Sequence, residues 1–409
     1  MKCLVSVREL RRVADAFGFL RNNSDARRRF VVITGERGMG LRFHATDCEV
    51  TLEVTANCES AGVMSGGSCA VLLSDLKSVI KGGSGGESVE FIKERECEVI
   101  LRRMGTTHTF TCPFDSDIAA VLPPAFGTCG DSVRVRSDVF RDALKIARTH
   151  SSNDGTRYFL TGVYLKAGDF TSRHGFGAGL RVVATDSRRL YMDTLSVLES
   201  LKTLKEKSGF AGVIIPNDAV DALVKALSSD YADDVSYVSY AFIGPDPSLA
   251  SIGFRSGDVT VSTRVIDGEY PAYMQIVEQA SSATRSVVFD APALLGALKA
   301  VRPGLNPKRN AIELHTEERT VRVTAVKPRD SAYDTGAYSE NVETVSEYEA
   351  VAYMPTHSVG FNVNYLTDAL LAIGSNSVRM RFQDERGPGW FDNGVDGSPI
   401  SLVMPCRLS

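Results

Sequence analysis

The sequence predicts an α+β protein built from three similar domains, because one strand pattern and two helix patterns each occur three times. The segment GLRFHATD at 40–47 returns as GLRVVATD at 179–186, and TVRVTAV at 320–326 is a weaker third copy. Apolar and polar residues roughly alternate in the first and third copies, which is typical of a half-buried strand. The spacing of about 140 residues is the size of a whole domain and is longer than a solenoid repeat.

Each repeat is also expected to hold two helices. The first helix pattern, with apolar residues at one-face spacing, covers VRELRRVADAFGFL, SDVFRDALKIARTH and DAPALLGALKAVRP. The second follows an apolar strand, in VLLSDLKSVIKGG, VIIPNDAVDALVKALSS and FNVNYLTDALLAIGS. More strand-like sequence then follows, as in SVEFIKERECEVILRR and SVRMRFQDERGPGWF. The alternative to a true repeat is a chance match of one short strand. Against it, the strand pattern and both helix patterns recur at a similar spacing in all three copies.

Small polar stretches indicate where the domains join. FGTCGDS at 126–132 and EQASSATRS at 278–286 have the composition of linkers. We therefore expect domains at 1–129, 130–281 and 282–409.

The composition, 43% hydrophobic and 23% charged, is that of an ordinary globular chain. There is no run of about 18 apolar residues, so we expect no membrane span. The beginning, MKCLVSVRELRR, has no signal-peptide core, which predicts a cytoplasmic protein. A net charge of −4 argues against a protein that coats DNA by bulk positive charge, but it allows a local basic surface.

The sequence shows no catalytic constellation. The eight cysteines form no CxxC pair and no two of the six histidines stand four residues apart, so we expect no metal site and no cofactor. HATDCE at 44–49 has ligand-type residues, but its repeat mate VATDSR lacks His and Cys and both read as strand ends. Reduced, buried thiols are expected, with a disulfide or zinc framework as the alternative. P-loop, GxSxG, HExxH and paired-carboxylate motifs are absent from the sequence.

Positive charge gathers on the polar faces of the predicted helices. The basic residues on the first helix pattern of repeats one and two are Arg8, Arg11, Arg12, Arg141, Lys145 and Arg148. Lys81 and Lys299 continue this more thinly on other helices, and Arg27 lies in a basic loop. Such faces can bind phosphates without reading base sequence, and the alternative is a merely solvated surface. Aromatic residues do not interleave with these charges, so stacking on single strands is not indicated.

Five segments then stand in order along the chain: RYFLTGVYL (157–165), RVVATDSRRLYM (181–192), VIDGEYPAYMQIV (265–277), GFNVNYLTDALLAI (360–373) and VMPCRL (403–408). Together they resemble the bacterial DNA polymerase III beta sliding clamp family, and the repeats extend the resemblance over nearly the whole chain. The resemblance implies the DNA clamp fold, a head-to-tail homodimer with antiparallel sheets outside and two helices per domain lining a ring around duplex DNA. A ring that retains DNA by topology needs only weak, sequence-independent contacts.

The resemblance also implies an apolar pocket between the second and third domains, which binds short linear motifs of the replicative polymerase, the clamp loader and other clamp-binding proteins. The implied pocket residues are Leu160, Thr185, Ser187, Arg188, Arg189, Leu190, Pro271, Gln275, Ile276, Tyr365, Val403, Met404, Pro405, Cys406, Arg407 and Leu408. Its apolar side chains would bury a partner's Leu or Phe, Arg189 would orient the peptide, and Met404 would adapt to different ligands. Ser187-Arg188 stands where Gly-His is common in the family, and Gln275 where Arg is common.

For DNA contact the resemblance points to the loop near Arg27, to Lys81 and to the turn with Arg157, Tyr158 and Phe159. Extra length relative to the family falls at 172–179 and 327–348. The expected function is a DNA sliding clamp, a non-catalytic processivity subunit of a DNA polymerase complex. The alternatives are a specialised clamp paralogue or DNA-bound regulator with the same fold, and an enzyme whose site is not recognised.

Overall fold

The structure is a computed structural model of the 409-residue chain. It describes residues 1–18, 30–47, 49–59, 63–95, 98–111, 133–172, 174–197, 212–227, 237–243, 251–305, 310–325 and 345–407. Its contacts divide the chain into two compact units. The first unit comprises Met1–Lys145 and Val197–Asp267, and the second comprises Ile146–Ser196 and Gly268–Ser409. The predicted linker at 126–132 lies outside the described residues, and the three-domain division stays a prediction.

Seven α-helices lie in the described part of the chain: α1 (Val7–Ala16), α2 (Leu73–Ile80), α3 (Ser137–His150), α4 (Asn217–Ala226), α5 (Tyr273–Ser281), α6 (Ala291–Val301) and α7 (Val363–Ile373). Six of them are the predicted helices, two in each repeat. The seventh, α5, was not predicted. It begins before the expected linker at 278–286 and extends into it as far as Ser281, because Tyr273, Val277 and Ala280 share one buried face.

Twenty-two strands complete the described elements: β1 (Lys2–Ser6), β2 (Phe30–Gly35), β3 (Leu41–Thr46), β4 (Val50–Ala56), β5 (Gly67–Leu72), β6 (Ser88–Arg95), β7 (Glu98–Arg103), β8 (Thr106–Thr111), β9 (Val133–Arg136), β10 (Gly162–Ser172), β11 (Gly175–Thr185), β12 (Arg189–Ser196), β13 (Val213–Pro216), β14 (Tyr237–Ile243), β15 (Ser251–Ser256), β16 (Val259–Arg264), β17 (Arg285–Asp290), β18 (Ala311–Ala325), β19 (Val345–Asn362), β20 (Ser377–Phe382), β21 (Gly389–Asp392) and β22 (Ile400–Val403). The three copies of the repeated strand motif fall in β3, β11 and β18, which confirms them as strands. Ladders between these strands are antiparallel, so the α+β prediction is confirmed.

In the first unit, one sheet has the strand order β5-β2-β3-β4-β16-β15-β14-β9. The strands from β5 to β4 in this order come from the first repeat, and those from β16 to β9 come from the second. The two sets join where β4 pairs with β16, with Leu52 opposite Val261. The other sheet of this unit, β1-β6-β7-β8, has only four strands, and β8 is its outer strand.

The second unit repeats this arrangement. Its large sheet runs β10-β11-β12-β22-β21-β20-β17, and the second and third repeats join where β12 pairs with β22, with Leu190 opposite Leu402. A long β18-β19 ladder forms the remaining sheet. The extra sequence at 172–179 lengthens the β10-β11 hairpin, whose last paired residues are Ser172 and Gly175. Most of the extra sequence at 327–348 lies outside the described residues.

The helices form as their sequences predict. In the first predicted helix, the apolar residues Leu10, Val13 and Ala14 of α1 are buried, and so is Phe17 directly after its end. In α6, Asp290 caps the first turn by accepting a hydrogen bond from the backbone N–H of Ala293 at 2.7 Å. The helices in the described residues are too short or too polar to cross a membrane.

Candidate functional site

An apolar pocket of about 190 Å³ opens in the second unit. It is lined by Leu160, Thr185, Ser187, Arg188, Arg189, Leu190, Pro271, Tyr273, Ile276, Pro388, Leu402 and Met404. Nine of these twelve residues were implied by the resemblance. They come from segments far apart in the sequence, and the fold brings them together in one pocket. Tyr273, Pro388 and Leu402 were missed.

The join between β12 and β22 forms the base of the pocket. Leu190 and Leu402 are paired across this join, and the backbone N–H of Met404 donates to the carbonyl of Arg188 at 2.8 Å. Leu160 comes from a 3₁₀ turn, Gly155–Leu160, and is buried. The start of α5 adds Tyr273 and Ile276.

Two apolar side chains remain exposed at the rim of the pocket. Ile276 keeps 48% of its surface accessible and Met404 keeps 43%. Because exposed apolar groups beside a concave apolar surface mark binding sites, the pocket is suited to bury a small hydrophobic side chain of another molecule.

The tight turn between β11 and β12 is held by its own side chains. Asp186 Oδ1 accepts hydrogen bonds from the backbone N–H groups of Arg188 at 2.9 Å and Arg189 at 3.0 Å. Ser187 takes a left-handed conformation with φ of 76°. Its N–H donates to Thr185 Oγ1 at 3.1 Å, and its hydroxyl accepts from Arg157 Nη1 at 2.6 Å. A residue implied for DNA contact, Arg157, is therefore bonded to a residue of the pocket wall.

Arg189 is the most firmly positioned charged side chain of the pocket. Its Nε donates to Asp186 Oδ2 at 2.9 Å and its Nη1 donates to Asp368 on α7. The guanidinium carbon lies 4.4 Å from the centre of the Tyr365 ring, a cation–π contact. Tyr365 thus does not line the pocket, but it supports a residue that does.

Other implied pocket residues lie elsewhere. Gln275 is exposed on α5 and is not among the lining residues. Val403 is fully buried in the hydrophobic core of the third repeat, and Leu408 lies outside the described residues. Beyond Met404, the described residues 405–407 do not line the pocket, although the N–H of Cys406 donates to the carbonyl of Gly360 at 2.9 Å. Pro405, Cys406 and Arg407 thus follow the strand without forming the wall.

A buried histidine supports the pocket from behind. His150, at the end of α3, has its Nδ1 3.0 Å from the carbonyl oxygen of Ile146 and its Nε2 3.3 Å from Ser401 Oγ on β22. Because a carbonyl only accepts, Nδ1 carries the proton and Nε2 accepts from the serine. Burial lowers the pKa of His150 to about 4, so the ring is neutral near pH 7.

On α1 the basic residues divide into two groups. Arg8 and Arg11 are exposed. Arg12, predicted on the same outer face, is instead turned inward, with only 9% of its side chain exposed. It donates to Glu9 at 2.9 Å and to the backbone carbonyl of Thr55 at 2.6 Å, because its long side chain reaches a strand end beside the helix. The prediction that Arg12 lies on the solvent-facing side of α1 is therefore wrong.

On α3, Lys145 is exposed, and neither a salt bridge nor a side-chain hydrogen bond involves it within the described residues. Arg141 pairs with Asp142 at 2.8 Å, and Arg148 donates to Ser151 at 3.4 Å and to Asn153 at 3.3 Å. The charge of Lys145 is thus available to an anion.

The remaining residues implied for DNA contact are mostly at the surface. Lys81 is exposed just beyond α2. Tyr158 is 54% exposed and meets the ring of Phe159 edge-on at 5.7 Å, while Arg27 lies outside the described residues. As for metals, the residues that the structure describes contain no group of three or more His, Cys, Asp or Glu placed to hold an ion.

Comparisons with known proteins agree with this geometry. Residues 134–272 match the central domain of the DNA polymerase III beta subunit, and residues 281–407 match its C-terminal domain. The beta sliding clamp of Caulobacter vibrioides is 25% identical over 294 residues, which cover 70% of each chain. That of Synechocystis is 27% identical over 278 residues, covering 65% of this chain and 63% of the relative.

Solved structures share the fold. The DNA polymerase III subunit beta of Pseudomonas aeruginosa matches with a TM-score of 0.79 at 20% identity, over 100% of both chains. The sliding clamp of Bartonella birtlesii, solved with bound griselimycin, matches with a TM-score of 0.78 at 21% identity, over 100% of this chain and 99% of that one. The two domain matches together span more than half of the sequence, and this chain belongs to the DNA polymerase III beta subunit family.

Proposed function

We propose that this chain is a DNA sliding clamp, which encircles duplex DNA and tethers the replicative polymerase for processive synthesis. The observation that carries this proposal is the apolar pocket at the join of β12 and β22. The clamp loader and other proteins with clamp-binding motifs would use the same pocket. The clamp itself performs no catalysis and acts in the cytoplasm, where bacterial replication takes place.

The pocket supports capture of a short peptide with one large apolar side chain. Burial of a Leu or Phe between Leu160, Leu402 and Met404 contributes about 2–3 kcal/mol. Arg189 was expected to orient the peptide, but its guanidinium is bonded to Asp186 and Asp368. The exposed Arg188 can take this role from the rim, by binding the peptide backbone or a terminal carboxylate. A modest contribution from one buried side chain suits partners that must exchange on one clamp.

The strand order supports a head-to-tail dimer. At both joins inside the chain, the last strand of one repeat pairs with the strand that follows the repeated motif of the preceding repeat, namely β16 with β4 and β22 with β12. The counterpart of β16 and β22 in the first repeat is β8, the outer strand of a four-stranded sheet. The counterpart of β4 and β12 in the third repeat is the start of β19, since Thr324 pairs with Val345 and Thr320 with Glu349.

Two copies of the chain can therefore complete each other. If β8 of one copy pairs with the beginning of β19 of the other, a third continuous sheet forms at each of two equivalent contacts. Two such contacts close a ring, and a closed ring leaves neither strand edge open to aggregation. The exposed Lys145 and Lys299 would then offer weak, sequence-independent contacts to phosphates.

A peptide-binding experiment tests the pocket. A fluorescent peptide ending in an apolar clamp-binding motif is titrated with the parent protein and with the double variant Ile276→Ser/Met404→Ser. The matched control is Leu371→Ser, which removes a similarly exposed apolar side chain (58%) from α7, outside the pocket. We expect the pocket variant to bind the peptide at least tenfold more weakly than the parent protein. The control should bind it as tightly as the parent does. Equal affinity in all three proteins would refute the pocket assignment.

Light scattering tests the ring. A mass near twice 44.3 kDa is expected at micromolar concentration. Thr109→Pro places a residue without an N–H in β8 and should give a monomer, whereas Thr109→Ala should remain a dimer. If the parent is a monomer throughout, the chain cannot encircle DNA unaided, and a DNA-bound regulator becomes the better reading.

A further inference from the structure

Two cysteines of the first unit lie side by side, although they are far apart in the sequence. Cys3 is buried on β1, and Cys58 is half-buried just after β4. An antiparallel bridge pairs Val5 with Cys58, and the N–H of Glu59 donates to the carbonyl of Leu4 at 2.8 Å. The two backbones therefore run alongside each other, and both thiols face the same side.

The thiols of Cys3 and Cys58 are hydrogen bonded to each other. This bond lowers the pKa of Cys58, against the opposing effect of burial and with help from the backbone N–H of Leu41. The same bond raises the pKa of Cys3, and burial adds to the effect. Because Cys58 is partly accessible to solvent and Cys3 is buried, Cys58 is the thiol of the pair that an oxidant can reach.

We propose that Cys3 and Cys58 form an oxidant-sensitive dithiol, which hydroperoxides convert to an intramolecular disulfide and thiol reductants restore. The pair combines a half-exposed thiol with a buried thiol in contact, which is the arrangement of a reactive and a resolving cysteine. This inference does not depend on the clamp function. It also refines the sequence expectation of reduced, buried thiols, because Cys58 is only half-buried.

The chemistry has two steps. The thiolate of Cys58 attacks one oxygen of hydrogen peroxide, so that an S–O bond forms, the O–O bond breaks and the departing hydroxide takes up a proton to become water. Cys3 then loses its proton and attacks the Cys58 sulfur. The S–S bond forms, the S–O bond breaks, and the hydroxide leaves as a second water with the proton from Cys3. One peroxide is reduced for two thiols oxidised.

The product would join two parts of the first unit covalently. β1 belongs to the four-stranded sheet, whereas Cys58 follows β4 of the large sheet. A disulfide here would close the long chain loop between them and stabilise the unit, mainly by restricting its unfolded state. Oxidation should therefore raise the melting temperature of the protein.

The test uses the full-length protein and dilute hydrogen peroxide, with intact mass and peptide mapping under non-reducing conditions. We expect a loss of about 2 Da and one crosslinked peptide pair containing Cys3 and Cys58, both reversed by dithiothreitol. Cys3→Ser should instead accumulate a sulfenic acid at Cys58 that dimedone traps. Cys406→Ser, which removes another half-buried cysteine, should behave as the parent does.

Two outcomes would overturn the proposal. One is a parent protein in which this pair stays reduced while Cys406 is oxidised. The other is a crosslink that joins different cysteines. Because the peptide map of the parent protein decides the matter, the result does not depend on the folding of either variant. Cys58→Ser provides a second check, since its Cys3 should remain a free thiol.

Discussion

Arg189 of β12 is hydrogen bonded to Asp368 of α7, so a pocket residue of the second repeat is fixed to a helix of the third. The same guanidinium is bonded to Asp186 and lies over Tyr365. The shape of the pocket therefore depends on how β12 and α7 are held together. A change at this bond should affect both stability and peptide binding.

We expect Arg189→Ala to lower the free energy of unfolding by about 2 kcal/mol, because it leaves two carboxylates without their charged donor. Peptide affinity should fall as well. The matched control is Arg322→Ala, which removes an ion pair with Glu347 whose side chains are about half exposed (50% and 48%). That change should cost less than about 1 kcal/mol. Urea unfolding measures both, and equal losses would contradict the importance of the Arg189 contacts.

His150 should make the protein acid-sensitive. Its pKa is about 4 when folded, below the ordinary value of 6.5, so the unfolded chain binds the proton more readily between these values. Above about pH 6.5 the neutral His150 does not lower the free energy of unfolding. As the pH falls from there toward 4, the free energy of unfolding decreases, by about 2 kcal/mol between pH 7 and pH 5. The pKa of His357 is also lowered by burial and adds in the same direction.

His150→Gln should flatten this dependence. The measurement is urea unfolding at pH 7 and pH 5 for the parent and the variant, and the readout is the difference between the two pH values. A variant with the same pH dependence as the parent would show that another group is responsible.

Gly397 should not tolerate a side chain. It has φ of 73°, and a Cβ at this position would lie 2.3 Å from the carbonyl carbon of Ser172. We expect Gly397→Ala to cost several kcal/mol, since backbone must move. Gly394 is the matched control, with φ of 83° and no atom within 4 Å of its Cβ position. Gly394→Ala should cost only about 1 kcal/mol, and thermal unfolding distinguishes the two.

The helix faces can be tested by charge reversal. Lys145→Glu/Lys299→Glu should shorten retention on nicked circular DNA without changing peptide affinity, because it replaces two exposed cations on the helices. Lys166→Glu on β10 is the control and should be retained as the parent is. Equal retention of all three proteins would remove these helices from the DNA-binding surface.

The repeats made most of the fold predictable. The spacing of apolar residues predicted the six amphipathic helices, and the repeated sequence itself predicted the three strand copies. Helix α5 was not predicted because small polar residues occupy its end, although Tyr273, Val277 and Ala280 form a buried face. Periodicity over fewer than three turns is a weak signal beside a linker-like composition.

The site was only partly predictable for a different reason. Pro388 lies in the segment SVRMRFQDERGPGWF, which the sequence marks only as strand-like, and it reaches the pocket through the tertiary fold. Arg12 occupies a polar position on its helix wheel, but a neighbouring strand end offers it a carbonyl. Helical spacing predicts which face of a helix a residue lies on. The hydrogen-bond partners of a long side chain depend on the tertiary structure, which the spacing does not give.

The join of β12 and β22 also has a consequence for synthesis. About 200 residues separate the two strands, and at 5–20 residues per second the ribosome needs roughly 10–40 s to make them. During that interval β12 has one edge without its native neighbour, exposed to other nascent chains. Cells that make this protein thus face a window of vulnerability to misassembly, which slower translation would lengthen and a holdase chaperone would cover.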